Sequence, residues 1–267
     1  MTRLVAFGDN VVDIYRGIGC MFPGGNAVNV AVAARRCGIE TAYLGAVGTD
    51  DVGALVRSAL AAEKVETARL RVLEGPSAFC IVELDDGNRR FVEGHLGVSR
   101  FRLDATDLEY LSRFDCVHTG DNSGTETQLN EVAAVARLSF DFSDKPPAYY
   151  EPLLDKVWFA CFSGAHLETE DSEALARRIL GAGPEVVLVT EGARGALLAT
   201  VDETVRVPAA SIRPIDTLGA GDAVIGGVLA GLLSHDGLEA TLTSAVALAS
   251  NTCLHYGAFG YGRAVVP

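Results

Sequence analysis

Short apolar runs alternate along this chain with segments of helical periodicity. Six runs are continuous, bounded by Gly, Asp or Ser, and typical of buried strands: 4–7, 42–47, 116–118, 138–142, 157–162 and 186–189. Helical periodicity predicts helices over 26–37, 51–63, 105–113, 125–137, 169–181, 220–234 and 238–255. Because strands that alternate with helices form βαβ units, the pattern predicts an α/β sandwich, with a mostly parallel sheet covered by helices on both faces.

Two parts of the chain do not fit this alternation. Segments 77–84 and 88–92 flank Asp85-Asp86-Gly87, which is typical of a β-hairpin turn, and 10–22 reads as extended. We expect a small β lid with segments near 10–22 and 77–93. Runs at 195–200 and 204–207 predict an antiparallel hairpin at a sheet edge. No Pro- or Ser-rich linker and no internal repeat divides the chain, so 1–267 is predicted to be a single domain.

The charge balance excludes some classes of partner. The 22 basic and 35 acidic residues give a net charge of −13, and a field of this sign repels nucleic acids and anionic membranes. No stretch approaches the ~20 apolar residues of a membrane span, and the N-terminus lacks the apolar region of a signal peptide. Lys64, Lys145 and Lys156 do not follow glycine, so there is no Walker-type phosphate loop. If this protein binds phosphate groups, it must do so through a structure other than a Walker-type loop.

The cysteines and histidines do not form metal or disulfide patterns. Six cysteines lie at positions 20, 37, 80, 116, 161 and 253, without a Cys-x-x-Cys pair. We interpret them as buried free thiols of a protein in a reducing cytoplasm. The five histidines are isolated, and no His-Glu-x-x-His motif occurs, which disfavours a zinc site.

The segment IDTLGAGDA at 215–223 carries the strongest chemical signal. Its glycines allow a sharp turn, and the apolar helix that follows leaves backbone N–H groups open to an anion at its N-terminus. Asp222 would then lie beside the bound anion, which it would repel. An ordinary cap or turn role for Asp216 and Asp222 is the alternative. The position of Asp222 favours a catalytic base.

Two further segments precede helices or follow strands. In PGGNAVNVA at 23–31, a glycine pair opens a helix whose first turn carries Asn29, an amide that can bond a hydroxyl; capping by Asn26 is the alternative. In GDNVVD at 8–13, Asp9 and Asp13 follow the first strand. Open α/β sheets bind ligands at that edge, where carboxylates can accept hydrogen bonds from a polyol.

In this order and spacing the three segments resemble the ribokinase-like (PfkB-type) carbohydrate kinases, over essentially the whole chain. The resemblance implies a ribokinase-like three-layer αβα sandwich with a β lid. It also implies transfer of the γ-phosphoryl group of ATP to a sugar hydroxymethyl. Asp222 would be the base, and the backbone N–H groups of Gly219, Ala220 and Gly221 would hold the phosphoryl group. The sugar would contact Asp13, Gly25, Asn29 and Asp9.

The resemblance also implies a nucleotide site and bound ions. Thr190, Gly192, Thr217 and Asn251 would contact ATP, and Asp216 would help to bind a monovalent cation such as potassium. Many relatives have an Asn-x-x-Glu motif that organises magnesium, whereas this chain has Ser163-Gly164-Ala165-His166. Magnesium dependence is expected, with two alternatives for its protein ligand: Glu168 replaces that Glu, or Asp141 and the nucleotide suffice.

Within the family, the short chain, GDNVVDIY at 8–15 and FDFSDK at 140–145 look most like fructoselysine 6-kinases. In a lid over such a substrate, Arg89 or Arg90 would pair with a carboxylate, while an amine would meet Asp121, Asn122 or Glu93. Fructose, ribose or a nucleoside remain alternative substrates, and a non-catalytic sugar or nucleotide sensor is the alternative class. A Rossmann dehydrogenase is disfavoured because no Gly-x-Gly-x-x-Gly follows the first strand. The lid would cover the site or form a homodimer through Phe79, Ile81 and Phe91.

Overall fold

The computed structural model describes residues 2–85 and 88–265. The turn expected at Asp86 and Gly87 lies outside the described residues, as do the side chains of Arg89, Arg90 and Phe91. The strands are, in chain order, β1 (Arg3–Phe7), β2 (Val11–Tyr15), β3 (Cys20–Gly24), β4 (Glu40–Leu44), β5 (Ala46–Gly48), β6 (Arg71–Leu73), β7 (Phe79–Asp85), β8 (Asn88–His95), β9 (Cys116–Gly120), β10 (Arg137–Asp141), β11 (Phe159–Ser163), β12 (Val186–Thr190), β13 (Ala196–Ala199), β14 (Thr204–Val207) and β15 (Arg263–Ala264). The α-helices are α1 (Asn26–Arg36), α2 (Asp51–Ala62), α3 (Ala105–Leu111), α4 (Leu129–Ala133), α5 (Pro147–Tyr150), α6 (Thr169–Leu180), α7 (Ala220–Leu233) and α8 (Leu238–Thr252).

The main sheet has the strand order β14-β13-β12-β11-β10-β9-β1-β4. The adjacent strands β12, β11, β10, β9, β1 and β4 are parallel to one another. At the other edge, β13 pairs antiparallel with β12, and β14 pairs antiparallel with β13. The predictions of a mostly parallel sheet and of an edge hairpin are therefore confirmed.

Side chains of the central strands alternate between two apolar layers. In β1, Val5 and Phe7 pack in a cluster with α3, α4 and α6, whereas Leu4 packs in a cluster with α1, α7 and α8. Both clusters are closed to solvent, which is why the strand sequences are continuously apolar. The sheet is thus covered by helices on both faces.

Three sequence predictions need correction. The run at 42–47 divides into β4 and β5 at Gly45, where a Cβ would overlap the Tyr43 ring and β5 leaves to pair with β6. The helix expected over 125–137 contains only α4 and a preceding 3₁₀ turn, because the chain is already extended in β10 at Arg137. The prediction that all six cysteines are buried is wrong for three of them: Cys20 and Cys80 are half-buried, and Cys37 is exposed because it follows α1 at its C-terminal end.

A second sheet, the lid sheet, has the order β15-β3-β2-β7-β8. Val12 and Met21 pack with residues of α1 and α2, while Tyr15 packs with Phe22 and Val82 in a small cluster of its own. Strand β15, which adds two residues to the edge of this sheet, has no recognisable strand pattern in the sequence. That 1–267 behaves as a single domain stays a prediction.

In the part of the chain that the structure describes, no helix has the length and apolar character needed to cross a bilayer.

Candidate active site

A cavity of about 610 Å³ lies where the carboxyl ends of β1, β9 and β10 meet the lid sheet. The chain leaves β1 for β4 on one side and later adds β9 on the other, so the strand order reverses here. Ligands of open α/β sheets bind at such points. The polar and charged residues that line the cavity include Asp9, Asn10, Asp13, Asn26, Asn29, Arg100, Asp121, Asn122, Asp141 and Asp222.

Asp222 lies in the first turn of α7 and faces two amides from α1. Asn29 Nδ2 donates to its Oδ2 at 2.7 Å, and Asn26 Nδ2 donates to its Oδ1 at 2.8 Å. Desolvation raises the pKa of Asp222 to about 6, against the lowering effect of the two amides. A carboxylate with this pKa is ionised at neutral pH and is still basic enough to accept a hydroxyl proton.

The turn before α7 leaves backbone donors open. Gly219 has φ 72°, and a Cβ there would overlap Ala258. The Ala220 N–H donates to the Thr217 carbonyl at 3.3 Å. Among the described residues, none accepts a hydrogen bond from the N–H groups of Gly219, Gly221 and Asp222. These donors sit at the positive end of the helix dipole and can bind an anion.

Asn29 and Asp13 present oxygen atoms to the cavity. Asn29 Oδ1 is buried and has no hydrogen-bond partner within the described chain. A Cβ placed on Gly24 would lie 2.9 Å from Asp13 Oδ2 and 3.7 Å from Asn29 Oδ1, so these two acceptors flank the same glycine. Gly25 has φ 104° and lies close against Asn10. An unmatched buried acceptor beside a carboxylate fits a ligand with several hydroxyl groups.

Asp9 holds the start of α1. Its carboxylate accepts hydrogen bonds from the N–H groups of Asn26 at 2.8 Å and Ala27 at 3.3 Å, and from the Ser123 hydroxyl at 2.9 Å. The alternative of capping by Asn26 is therefore wrong, because Asp9 caps the helix and leaves the Asn26 amide to bond carboxylates. A direct contact of Asp9 with a sugar stays a prediction.

Asp141 is the expected alternative to Glu168 as the protein group that helps the nucleotide to hold magnesium, and that role stays a prediction. This residue ends β10, lines the cavity and accepts from Asn26 Nδ2 at 2.9 Å. Desolvation and the nearby Asp222 charge raise its pKa well above the usual value. Its position at the carboxyl end of a central strand is the signal in the sequence that could have placed it in the cavity.

The residues expected to contact ATP lie at neighbouring strand and helix ends. Thr190 ends β12, and Gly192 begins the 3₁₀ turn that follows. Thr217 precedes α7, while Asn251 is exposed in the last turn of α8. The Ile215 N–H donates to the Cys253 carbonyl at 2.8 Å and so ties these two segments together. The nucleotide contacts themselves stay predictions.

Arg194 holds the loop that follows β11. Its guanidinium donates to the carbonyl groups of Gly164, Ala165 and Leu167. The arginine thereby fixes the segment that replaces the Asn-x-x-Glu motif against the turn after β12.

Neither proposed ion ligand lies in a multi-carboxylate site. The Asp216 carboxylate accepts hydrogen bonds from the Tyr15 hydroxyl at 2.6 Å and from the N–H groups of Gly257 and Leu218 at 3.0 Å. Glu168 is exposed at the start of α6. The described residues contain no group of three or more His, Cys, Asp or Glu suited to hold a metal.

Solved structures share the fold. Arabidopsis thaliana ribokinase complexed with ribose and ATP superposes with a TM-score of 0.85 at 21% identity, covering 98% of this chain and 96% of that one. A putative ribokinase II from E. coli in complex with ATP and Mg²⁺ gives a TM-score of 0.83 at 19% identity, covering 97% and 95%. The expected ribokinase-like fold is confirmed.

Sequence comparisons are more specific. The chain is 38% identical to fructosamine kinase FrlD of Bacillus subtilis (strain 168), over 97% of this chain and 94% of that protein. It is 34% identical to fructoselysine 6-kinase of Escherichia coli (strain K12), over 97% of this chain and all of that protein. The model of the pfkB family of carbohydrate kinases matches residues 19–260. This match over most of the chain shows that the chain belongs to the PfkB carbohydrate kinases.

Proposed function

We propose that this PfkB kinase transfers the γ-phosphoryl group of ATP to the 6-hydroxyl of a fructosamine such as fructoselysine. One observation carries the proposal: the Asp222 carboxylate and the open N–H groups of Gly219 and Gly221 lie in the same turn of α7. A base for the hydroxyl proton and donors for the transferring group are thus adjacent.

The chemistry follows from this placement. Asp222 accepts the proton of the sugar hydroxyl as that oxygen bonds to the γ-phosphorus, and the bond from phosphorus to the β–γ bridging oxygen breaks to release ADP. The N–H groups of the turn stabilise charge on the phosphoryl oxygens. When bound to the nucleotide, magnesium would neutralise phosphate charge. The Asn29 Oδ1 and Asp13 acceptors would hold the other sugar hydroxyls.

The charges of the cavity support a fructosamine over a plain sugar. A glycated amino acid has a secondary ammonium and a carboxylate, and the cavity wall carries both acidic groups and Arg100. Within the described chain, no carboxylate pairs with Arg100, while Asp121 is shielded and pairs with Lys145 at 3.0 Å. We assign Asp121 to the ammonium and Arg100 to the carboxylate. The names of the two relatives support the same substrate class.

A substrate panel tests the proposal. The panel contains fructoselysine, the fructosamine of an alkylamine without a carboxylate, fructose, ribose and a nucleoside, with ADP release as the signal. We expect the highest kcat/KM for fructoselysine and a lower value for the alkylamine compound. Preference for fructose, ribose or a nucleoside would replace the fructosamine assignment, and sugar binding without ADP release would favour a sensor.

Asp222→Asn tests the base. We expect this variant to bind both substrates and to lose about 10²–10⁴-fold in kcat. Asp202→Asn, in the exposed turn between β13 and β14, is the matched control and should keep normal kinetics. A normal kcat in Asp222→Asn would remove Asp222 as the base.

The same proposal includes magnesium dependence, activation by potassium through the loop of Asp216, a cytoplasmic location and a homodimer through the lid sheet. Chelation with EDTA, exchange of potassium for choline and analytical ultracentrifugation test the ions and the assembly. Activity that is unchanged by EDTA would contradict the magnesium requirement.

A further inference from the structure

A buried row of polar side chains leads from the main sheet to the base. His118 of β9 and Ser139 of β10 are register partners and are fully closed to solvent. Ser139 Oγ lies 2.9 Å from His118 Nδ1, and His118 Nε2 lies 3.1 Å from Asn26 Oδ1. The Asn26 amide then contacts Asp222 and Asp141. Such buried polar groups act as a unit when every hydrogen bond is made.

The hydrogen bonds fix the orientation of each group. Asn26 Nδ2 has two protons, and two carboxylates accept them at 2.8 and 2.9 Å. The carbonyl oxygen of the amide therefore faces His118, and because it can only accept, His118 Nε2 must carry the proton. Nδ1 then accepts from the Ser139 hydroxyl. Desolvation lowers the pKa of His118 to about 3, so the ring stays neutral and has a single N–H.

We propose that His118 is a positioning residue for the catalytic base: its Nε2–H holds Asn26 Oδ1, so that the amide keeps both N–H groups on Asp222 and Asp141. The inference rests on the proposed function only in treating Asp222 as the base. The reverse amide orientation would turn a carbonyl oxygen toward two carboxylates, which is electrostatically unfavourable. His118 therefore acts at a distance from the substrate, through Asn26.

Loss of the His118 donor should change the basicity of Asp222. Asn26 Oδ1 would be buried without a partner, and the amide would be free to turn away. Asp222 would then keep only the Asn29 donor. The charged groups that raise the pKa of Asp222 are both acidic, Asp9 and Asp121. A rise in the pKa of Asp222 would follow, since a lost donor favours the protonated carboxyl.

The test measures kcat/KM against pH for His118→Leu, His118→Gln and Thr119→Val. At low pH, kcat/KM falls as Asp222 becomes protonated, and we call this part of the profile the acid limb. We expect His118→Leu to shift the acid limb to higher pH by about one unit, which lowers kcat/KM about fivefold at pH 6 and much less at pH 8. His118→Gln keeps an N–H donor toward Asn26 and should restore most of the wild-type profile. Thr119→Val breaks the hydrogen bond between the buried hydroxyls of Thr119 and Thr125, which does not involve this row of side chains. It should leave the acid limb in place.

A purely structural role predicts a different result. His118→Leu would then lower the melting temperature without moving the acid limb, and His118→Gln would give no rescue; this outcome overturns the proposal. If His118→Leu does not fold, Ser139→Ala replaces it. That variant removes the hydroxyl that fixes the ring tautomer, and we expect a smaller shift in the same direction, whereas an unmoved limb would count against the proposal.

A second measurement does not depend on kinase activity. In ¹⁵N-labelled protein, imidazole nitrogen shifts should show His118 neutral with the proton on Nε2 from pH 5 to pH 8. A proton on Nδ1 or a charged ring would overturn the proposal. If the tautomer is as expected and the protein has no kinase activity on any substrate, the proposed function fails and the His118–Asn26 contact remains.

Discussion

Asp222 is subject to opposing influences that together set its basicity. Desolvation and the charges of Asp9 and Asp121 raise its pKa, and the amides of Asn26 and Asn29 lower it, with a net value of about 6. In the proposed mechanism, the ionised form of Asp222 accepts the proton. The active form is therefore lost as the pH falls through about 6, well above the 3.8 of an ordinary aspartate.

A pH–rate profile checks this value. We expect kcat/KM of the wild type to fall about tenfold per pH unit below pH 6. The sugar substrate should have no group that titrates between pH 5 and 8, and ATP should be saturating at every pH, so that the limb in kcat/KM for the sugar reports the enzyme. A limb near pH 4 would mean that the carboxylate is more solvated than the structure indicates.

Only part of this chemistry could be predicted from the sequence. Asp222, Gly219 and Asn29 belong to short segments whose residue types already suggest a base, an anion turn and a hydroxyl ligand. His118 and Ser139 belong to no segment of that kind. His118 meets Asn26 across 92 positions of sequence, because β9 and α1 are brought together only by the sheet. Contacts of that separation leave no local pattern.

Among the elements, the N-terminus of α7 depends most on backbone conformation. Gly219 has a positive φ and lies against Ala258, so any Cβ there is both strained and obstructed. The open donors of Gly219 and Gly221 follow from this turn. An anion site made only of backbone groups cannot be rescued by a side chain elsewhere.

Gly219→Ala should therefore damage phosphate binding. We expect a cost of about 1–2 kcal/mol for the backbone alone, and a larger KM for ATP with a lower kcat because the donors move. Gly237→Ala is the matched control: that glycine precedes α8, has φ −64° and has open space at its Cβ position. Equal kinetics for the two variants would show that the turn at Gly219 tolerates a side chain.

Whether a segment forms a helix or a strand could be predicted where its apolar residues follow a single periodicity. The central strands have apolar side chains on both faces, and α1, α2, α6 and α7 begin within a residue of their expected starts. The failures have a common cause. Gly45 and the 125–137 segment lie where the chain changes direction to join another element, and that direction is set by tertiary partners such as Tyr43 and β9.

For the whole molecule, the net charge of −13 opposes the approach of ATP. The local donors of α7 must act against this field, which salt screens with a Debye length of about 10 Å at 0.1 M. We expect kcat/KM for ATP to rise as ionic strength increases from about 10 to about 150 mM. Choline chloride should be the salt, because it avoids specific effects of potassium.

The neutral sugar fructose provides the control, because its kcat/KM should respond less to salt, provided that it is turned over. A kcat/KM for ATP that falls with added salt would instead indicate a positive local field that outweighs the overall charge.

The lid sheet also has a consequence for biosynthesis. Strand β15 pairs with β3 through Arg263 and Met21, and Tyr15 of β2 bonds to Asp216, 201 positions later in the sequence. The ribosome must therefore release Asp216 before Tyr15 can bond to it, and Arg263 before the lid sheet can acquire β15. Until β15 is made, β3 has an unpaired edge, and strands of that kind are prone to aggregate. The first strands of the lid sheet are synthesised early and its last strand late. We therefore expect chaperones to bind mainly to this sheet during translation.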